Sequence, residues 1–366
     1  MKKNKNLIIF MPFIGIGGVE KNLFIISNFL IKKIENLSVC TSSNKYKKKF
    51  DKKIKFISPQ KKISENLNIR LKYILCLFLL FKLFLKNKNF TVISFQANIY
   101  CILLCKLFNV QVIVRSNSSP SGWYHNNFKK FVYKKIISLA DEVIVNSDDF
   151  KKEMEKKFSI KVNCIFNPLN INEIKKRASS IYKNGFFKKK YLKIINVGRL
   201  THQKDQITIL KAINKLKNRI KIQLIIIGRG VEKENLSKFI KENGLTKTVQ
   251  IRYPTNNVYR YLKSSDLFVL SSKYEGLPNV LLEAATLKKF IISSDCPTGP
   301  REILKNGSAG LLFKVGDVND LEKKILFFYK NKKKLNNRTN VLYQSLSKYD
   351  YKKNLERYWN VVKKHI

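Results

Sequence analysis

Two series of short apolar runs alternating with longer amphipathic segments constrain this chain more than anything else in it. In the first half NLIIFM (6–11), the stretch near Leu37–Cys40, FTVISF, VQVIVRSN and DEVIVNS follow one another with helical patterns between them, and VNCIFNPLN (162–170) adds a strand and an Asn-Pro turn. The second half restarts with YLKIINVGRL, IQLIIIGRG, VQIRY, DLFVLSS and FIISSD, again separated by helices. Strands buried on both faces read as near-continuous apolar runs, and helices between them supply the crossovers of a parallel sheet. The predicted fold class is therefore α/β, two Rossmann-like domains with parallel sheets and a cleft between them. The first is expected over 1–168 and the second over 191–347, with the polar, charged stretch 169–190 as a hinge. A length of 366 residues gives each domain enough chain for its own core.

The formal charge of +48 is the second constraint. Residues 1–168 carry 31 Lys and Arg against 10 Asp and Glu, and residues 169–366 carry 42 against 15, so the excess belongs to both halves. Such a surface favours anionic partners. It is densest over 45–90, with 14 basic residues against 2 acidic ones. That segment contains RLKYILCLFLLFKLFLKNK, whose uninterrupted apolar run Tyr73–Phe81 has nine residues. A bilayer span needs about 20. Two readings stay open here: a basic, apolar helix resting on an anionic membrane face, or a buried domain helix with solvated lysine ends. Charge alone also admits nucleic acid, but no helix-turn-helix, zinc-finger or aromatic RNA-binding pattern accompanies it, so none is expected as a partner. The six cysteines form no CxxC pair and sit in apolar runs as small core residues. No apolar leader precedes the first strand, and a reducing cytoplasmic location is the expectation.

In open parallel sheets ligands sit beyond the carboxyl ends of the strands, so the loops there matter most. SSKYEGLPNVLLEAA begins at Ser271 and sets Glu275 and Glu283 eight positions apart around a Gly276-Leu277-Pro278-Asn279 break. The break reads as a loop entering a helix from Val280, with Pro278 suited to a first turn and Asn279 of a capping type. A helix start offers unpaired N–H groups, and a carboxylate there can accept two hydroxyls of a polyol. An ordinary exposed helix start with two acids is the competing reading. After the first strand of the second half, NVGRLTHQKD places Arg199 and Lys204 beside a helix start at Asp205, a pair of cations suited to a diphosphate. Solvated cations in a basic chain are the alternative. Glycine turns follow other strands, at Gly15, Gly17 and Gly18 and at Gly228 and Gly230; the first matches neither a dinucleotide fingerprint nor a P-loop.

Taken in order, GGVEK, NPLN, VGRL-x-x-x-K-D, E-G-L-P-N-x-x-x-E-A and GPREIL resemble the family-4 retaining glycosyltransferases of the GT-B fold, over essentially the whole chain. The resemblance implies a nucleotide-sugar held mainly by the C-terminal domain and a last helix, within 348–366, that crosses back to the N-terminal, acceptor-side domain. It assigns Arg199 and Lys204 to the donor diphosphate, with Gly17 and Gly18 facing it, and Glu275 to the hydroxyls of the transferred sugar. Backbone around Gly276, Leu277, Pro278 and Asn279 would meet sugar and phosphate, Glu283 the ribose, and Gly198 and Gly228 line the donor. No D-x-D is present, and the family needs neither metal nor other cofactor. One departure stands out: where many members carry a histidine after the strand ending VIVRSNSS, this chain has Arg115, Ser116 and Asn117, with His125 further on. Ser116, Asn117 and His125 are the acceptor-side candidates.

The implied function is transfer of a hexose or N-acetylhexosamine from a UDP-sugar to a growing, polyprenyl-diphosphate-linked bacterial surface glycan, at the inner face of the cytoplasmic membrane. A phosphorylase or epimerase of the same fold, and a basic nucleic-acid-binding protein, are the alternatives from other classes.

Overall fold

The computed structural model describes residues 6–15, 17–59, 67–117, 126–180 and 185–366. The chain divides into two compact units, Met1–Pro168 with Tyr351–Ile366, and Leu169–Asp350.

The first unit holds a parallel sheet built from β1 (Asn6–Phe10), β2 (Asn36–Cys40), β3 (Lys55–Ile57), β4 (Thr91–Ser94), β5 (Gln111–Arg115), β6 (Glu142–Val145) and β7 (Asn163–Cys164). Their order is β3-β2-β1-β4-β5-β6-β7. Successive side chains of β1 go to opposite faces, as the two-residue period of a strand requires. Leu7, Ile9 and Met11 enter one core with Leu23, Ile26 and Leu30 of α1 (Gly18–Leu30). Ile8 and Phe10 enter the other, beneath α2 (Ile69–Lys86), α3 (Asn98–Leu107), α4 (Asn127–Ile137) and α5 (Asp148–Phe158). Caps set three of these helix starts: Asn68, Asn126 and Ser147 each accept from the backbone N–H three residues on. Cys40, Cys76, Cys101 and Cys105 are free thiols buried in this second core, in keeping with the core role read from the sequence.

The second unit opens with α6 (Ile171–Ala178), capped by Asn170 and burying Ile174 and Ala178 one turn apart. This corrects the expected hinge. Part of 169–190 is a helix of the second unit, because two apolar side chains at i and i+4 suffice to seat an otherwise charged segment. The sheet comprises β8 (Leu192–Val197), β9 (Ile222–Ile227), β10 (Val249–Arg252), β11 (Leu267–Leu270), β12 (Phe290–Ser294) and β13 (Leu311–Phe313), in the order β10-β9-β8-β11-β12-β13. Around it run α7 (Gln206–Leu216), α8 (Lys233–Glu242), α9 (Tyr259–Ser264), α10 (Asn279–Thr286), α11 (Pro300–Ile303), α12 (Val318–Asn331) and α13 (Asn336–Gln344). Both sheets step outward one way from their first strand and then reverse, so each has a switch point, between β1 and β4 and between β8 and β11.

The last helix, α14 (Tyr351–Val362), belongs to the first unit, packing Leu355, Tyr358, Val361 and Val362 into the core it shares with α1. Arg115, at the end of β5, is fully buried and ties it there. Its Nε donates to the Tyr358 hydroxyl at 2.8 Å and its Nη2 to Asn167 Oδ1 at 2.7 Å. Its Nη1 donates to Asn117 Oδ1, and the guanidinium lies 5.2 Å from the Phe95 ring centroid.

Candidate active site

At the switch point of the second sheet, the loops following β8, β11 and β12 are bound into one cluster. Ser271 Oγ donates to the Lys204 carbonyl at 2.8 Å, and the Lys273 N–H to the Gln203 carbonyl at 2.8 Å. Gln203 Nε2 reaches the Tyr274 carbonyl at 2.9 Å. From the other side, the Glu275 N–H donates to the Pro297 carbonyl at 2.7 Å, and Ser294 Oγ to the Ser272 carbonyl at 2.6 Å. Fixing three loops to one another in this way is the kind of support that a preorganised site requires.

Glu275 is the centre of this cluster. One of its oxygens, Oε1, accepts from Lys204 Nζ at 2.5 Å and from Ser272 Oγ at 2.5 Å. The residue is 6% exposed, and only 15% of the Lys204 side chain is exposed. A charge pair this far from water is costly to form, and removing either partner leaves the other stranded. Beside it Cys296 is buried, and its thiol is pushed up to about 12, by burial first and then by the charge of Glu275, with the Ser294 hydrogen bond and Lys204 pulling the other way. At neutral pH it is a neutral thiol and no nucleophile. Arg199 stays exposed, its Nη2 3.3 Å from Gln203 Oε1. Asp205 holds the entry to α7 in the left-handed region (φ 49°), with Oδ2 accepting from the Thr208 hydroxyl at 2.7 Å.

The helix after Glu275 begins one residue earlier than the sequence suggests. Pro278 occupies the cap position and Asn279 is the first residue of α10, so Asn279 does not cap it. Glu283, buried in that helix, accepts from the Tyr259 hydroxyl of α9 at 3.3 Å. Glycine has a definite job at two places here. A Cβ on Gly228 would stand 2.0 Å from the Gly198 carbonyl oxygen, so this glycine lets the loops after β8 and β9 touch. Gly299 has φ +87°, and its Cβ would stand 2.1 Å from the Gly276 carbonyl oxygen and 2.9 Å from Pro278 Cδ. Gly299→Ala is therefore expected to push the Glu275 loop off its neighbour and lower stability by about 2 kcal/mol, as overpacking does. Urea unfolding checks this.

The structure thus brings together Lys204, Glu275, Gly276, Leu277, Pro278 and Asn279, joins Arg199 to them through Gln203, and sets Gly198 against Gly228. Gly17, Gly18, Ser116 and Asn117 lie in the first unit. There Glu20 folds back over the glycine turn, accepting from the Gly15 N–H at 3.3 Å, and a Cβ on Gly17 would meet its carboxylate at 2.8 Å. Asn117 is committed on both sides of its amide, to Arg115 and, at 2.8 Å, to the Phe95 carbonyl. Ser116 is buried, its Oγ without a hydrogen-bond partner among the described residues. His125 lies outside the described residues. Ser272, Gln203 and Tyr259 were not singled out from the sequence. Only the serine left a signal, as a hydroxyl at the end of a strand three residues before a carboxylate. Among the described residues no group of three or more His, Cys, Asp or Glu is placed to hold a metal ion.

This combination of parallel sheets, reversed strand orders and a returning last helix is that of GT-B glycosyltransferases. The chain aligns with Anabaena Alr3699/HepE in complex with UDP at a TM-score of 0.79 and 14% identity, covering 98% of this chain and 100% of that one. Residues 179–344 match the model of glycosyl transferases group 1. An uncharacterized glycosyltransferase of Methanocaldococcus jannaschii is 34% identical over 56% of this chain and 53% of its own. A Campylobacter jejuni relative is 30% identical over 64% of this chain and 68% of its own. It is named as an N-acetylgalactosamine-N,N'-diacetylbacillosaminyl-diphospho-undecaprenol 4-alpha-N-acetylgalactosaminyltransferase. Other relatives are named for amylovoran, capsular polysaccharide and lipopolysaccharide synthesis. The chain belongs to the glycosyl transferases group 1 family, and it spans about half the length of the archaeal relative and about two thirds of the Campylobacter one.

Proposed function

We propose that this chain is a family-4 retaining glycosyltransferase that moves a hexose or N-acetylhexosamine from a UDP-sugar to a growing, lipid-linked bacterial surface glycan. The observation that carries the reading is the Glu275 carboxylate, fixed by Lys204 and Ser272 immediately before α10 at a switch point. With Oε1 occupied by those two donors, the other oxygen is the one that accepts hydroxyls of the transferred sugar in this reading. Glu283 takes the ribose hydroxyls, in place of or alongside the Tyr259 hydroxyl.

In the reaction the bond from the sugar's anomeric carbon to the diphosphate oxygen breaks, and a bond from that carbon to the acceptor hydroxyl oxygen forms on the same face. The acceptor's proton passes to the leaving phosphate oxygen. Positive charge gathers on the sugar while negative charge builds on the diphosphate. Arg199, Lys204 and the N–H groups at the start of α10 stabilise that departing charge, an electrostatic role set up before the reaction begins. Support for a UDP donor comes from fold neighbours that hold UDP or UDP-glucose, and support for a lipid-linked acceptor from the undecaprenol-linked substrates in the names of two Campylobacter relatives. No helix among the described residues is long and apolar enough to cross a membrane. The enzyme works at the inner face of the cytoplasmic membrane, where such acceptors are elongated.

The test is a panel of UDP-, GDP- and dTDP-sugars incubated with the chain and an undecaprenyl-diphosphate-linked acceptor, with the product's anomeric configuration read by NMR. Turnover of a UDP-sugar with retained configuration is expected. An inverted product, or no donor consumed from the whole panel, would overturn the assignment.

A further inference from the structure

The side of the first unit covered by α2, α3 and α4 has an outer surface unlike that of an ordinary globular domain. A helix lying on a sheet buries one stripe and turns polar side chains outward. Here α2 buries Cys76, Leu80 and Phe84, yet its opposite stripe is also apolar: Ile74, Phe78 and Leu85 are 62%, 50% and 63% exposed. On α3 the outward positions i, i+3 and i+7 are Tyr100, Leu103 and Leu107, the last 75% exposed. On α4 Phe128 and Phe131 stand outward at 75% and 58%. Helix α3 packs against both α2 and α4, so the three stripes lie on one continuous layer. Most of the large exposed apolar side chains among the described residues are on these three helices. Patches of this kind mark interaction sites.

The charges select the occupant. The helices α2, α3 and α4 carry four, one and four Lys or Arg and no Asp or Glu. Some of these cations sit directly among the exposed rings, Lys82 Nζ 4.5 Å from the Phe78 centroid and Lys135 Nζ 5.7 Å from that of Phe131. Lys106 of α3 is paired with Asp141, but the other cations have no acid on these helices, and apolar side chains flanked in this way match the boundary between anionic headgroups and acyl chains. A second copy of this chain would bring the same cations against them, and a nucleic acid would leave the apolar stripes exposed. We propose that the outer face of α2, α3 and α4 docks on an anionic lipid bilayer, a surface broader than the single helix suggested by the sequence. Its place in the biology rests on the reading of a lipid-linked acceptor.

Co-sedimentation of the full chain with vesicles of phosphatidylcholine, alone or mixed with phosphatidylglycerol, tests the surface. The variant Ile74→Ser/Phe78→Ser/Leu107→Ser changes only exposed side chains, and Phe327→Ser/Tyr329→Ser on α12, in the other unit, serves as control. The unaltered chain and the control are expected to bind the anionic vesicles and to bind neutral ones far more weakly. The triple variant should lose at least about tenfold in partitioning, with an unchanged thermal unfolding curve. Equal binding to both vesicle types, undiminished binding by the folded triple variant, or a dimer in solution that the triple variant dissolves would each overturn the proposal. Donor hydrolysis without vesicles, read in parallel, separates this surface from the transferase reading: vesicle binding lost in the triple variant with hydrolysis absent throughout would leave the surface standing and remove the enzyme.

Discussion

Sugar transfer by the Glu275→Gln protein is expected to fall by roughly 10²–10³-fold in kcat, about what the loss of one electrostatic group in a preorganised site costs. The amide keeps the size of the side chain and can still accept from Ser272 and Lys204, so the loop should stay in place. What disappears, on the role proposed for Glu275, is a negative charge set against the positive charge growing on the sugar ring. Glu275→Ala removes the acceptor oxygens as well and strands the Lys204 ammonium, so it should be at least as inactive and also less stable. The comparison between the two variants carries the information. If the residue served only to anchor Lys204 and the loop, the glutamine protein would keep near-normal kcat while the alanine protein lost it. A catalytic role predicts loss in both, with UDP affinity, measured by calorimetry, falling much less than turnover. A glutamine variant with unaltered kcat would sink the role assigned to Glu275.

The second large effect concerns stability. Arg115→Met is expected to cost the first unit about 3 kcal/mol or more. The aliphatic side chain fills part of the space but takes the charged donor away from the buried Tyr358 hydroxyl and Asn167 Oδ1 and from the half-buried Asn117 Oδ1. Each hydrogen bond to a charged group lost in this way costs roughly 1.5–3 kcal/mol. The loss should appear in urea unfolding as an early transition of the first unit, because all four residues belong to it, while the transition of the second unit stays where it was. A shift under about 1 kcal/mol would mean that the partners find other bonds.

The two predictions also mark how far the sequence could be read. Its strands were legible because parallel strands covered on both faces must be apolar without interruption, and runs such as IQLIII admit little else. The loops at their carboxyl ends followed, and with them Lys204 and Glu275. What escaped were contacts joining distant positions. Lys204 and Glu275 are 71 residues apart, and nothing in either neighbourhood says that their charges meet. Tyr259 reaches Glu283 only once α9 and α10 have packed. Arg115 was read as occupying a place where related enzymes carry a histidine. Its burial depends on Tyr358, a residue 243 positions away. One short element was lost for another reason: β3 has three residues, too few for periodicity to register.

The placement of α14 bears on how this chain comes to be folded at all. The first unit's sheet and five of its helices are synthesised before any of the second unit, yet the core face along α1 receives Leu355, Tyr358, Val361 and Val362 only afterwards. Until then Arg115 lacks its Tyr358 partner, and a strip of apolar surface has no cover. The second unit, contiguous in the chain, has no such wait. During synthesis the order of completion is therefore the reverse of the order of translation. The half made first is the last to close, and for that interval it is the half that chaperones and proteases would meet.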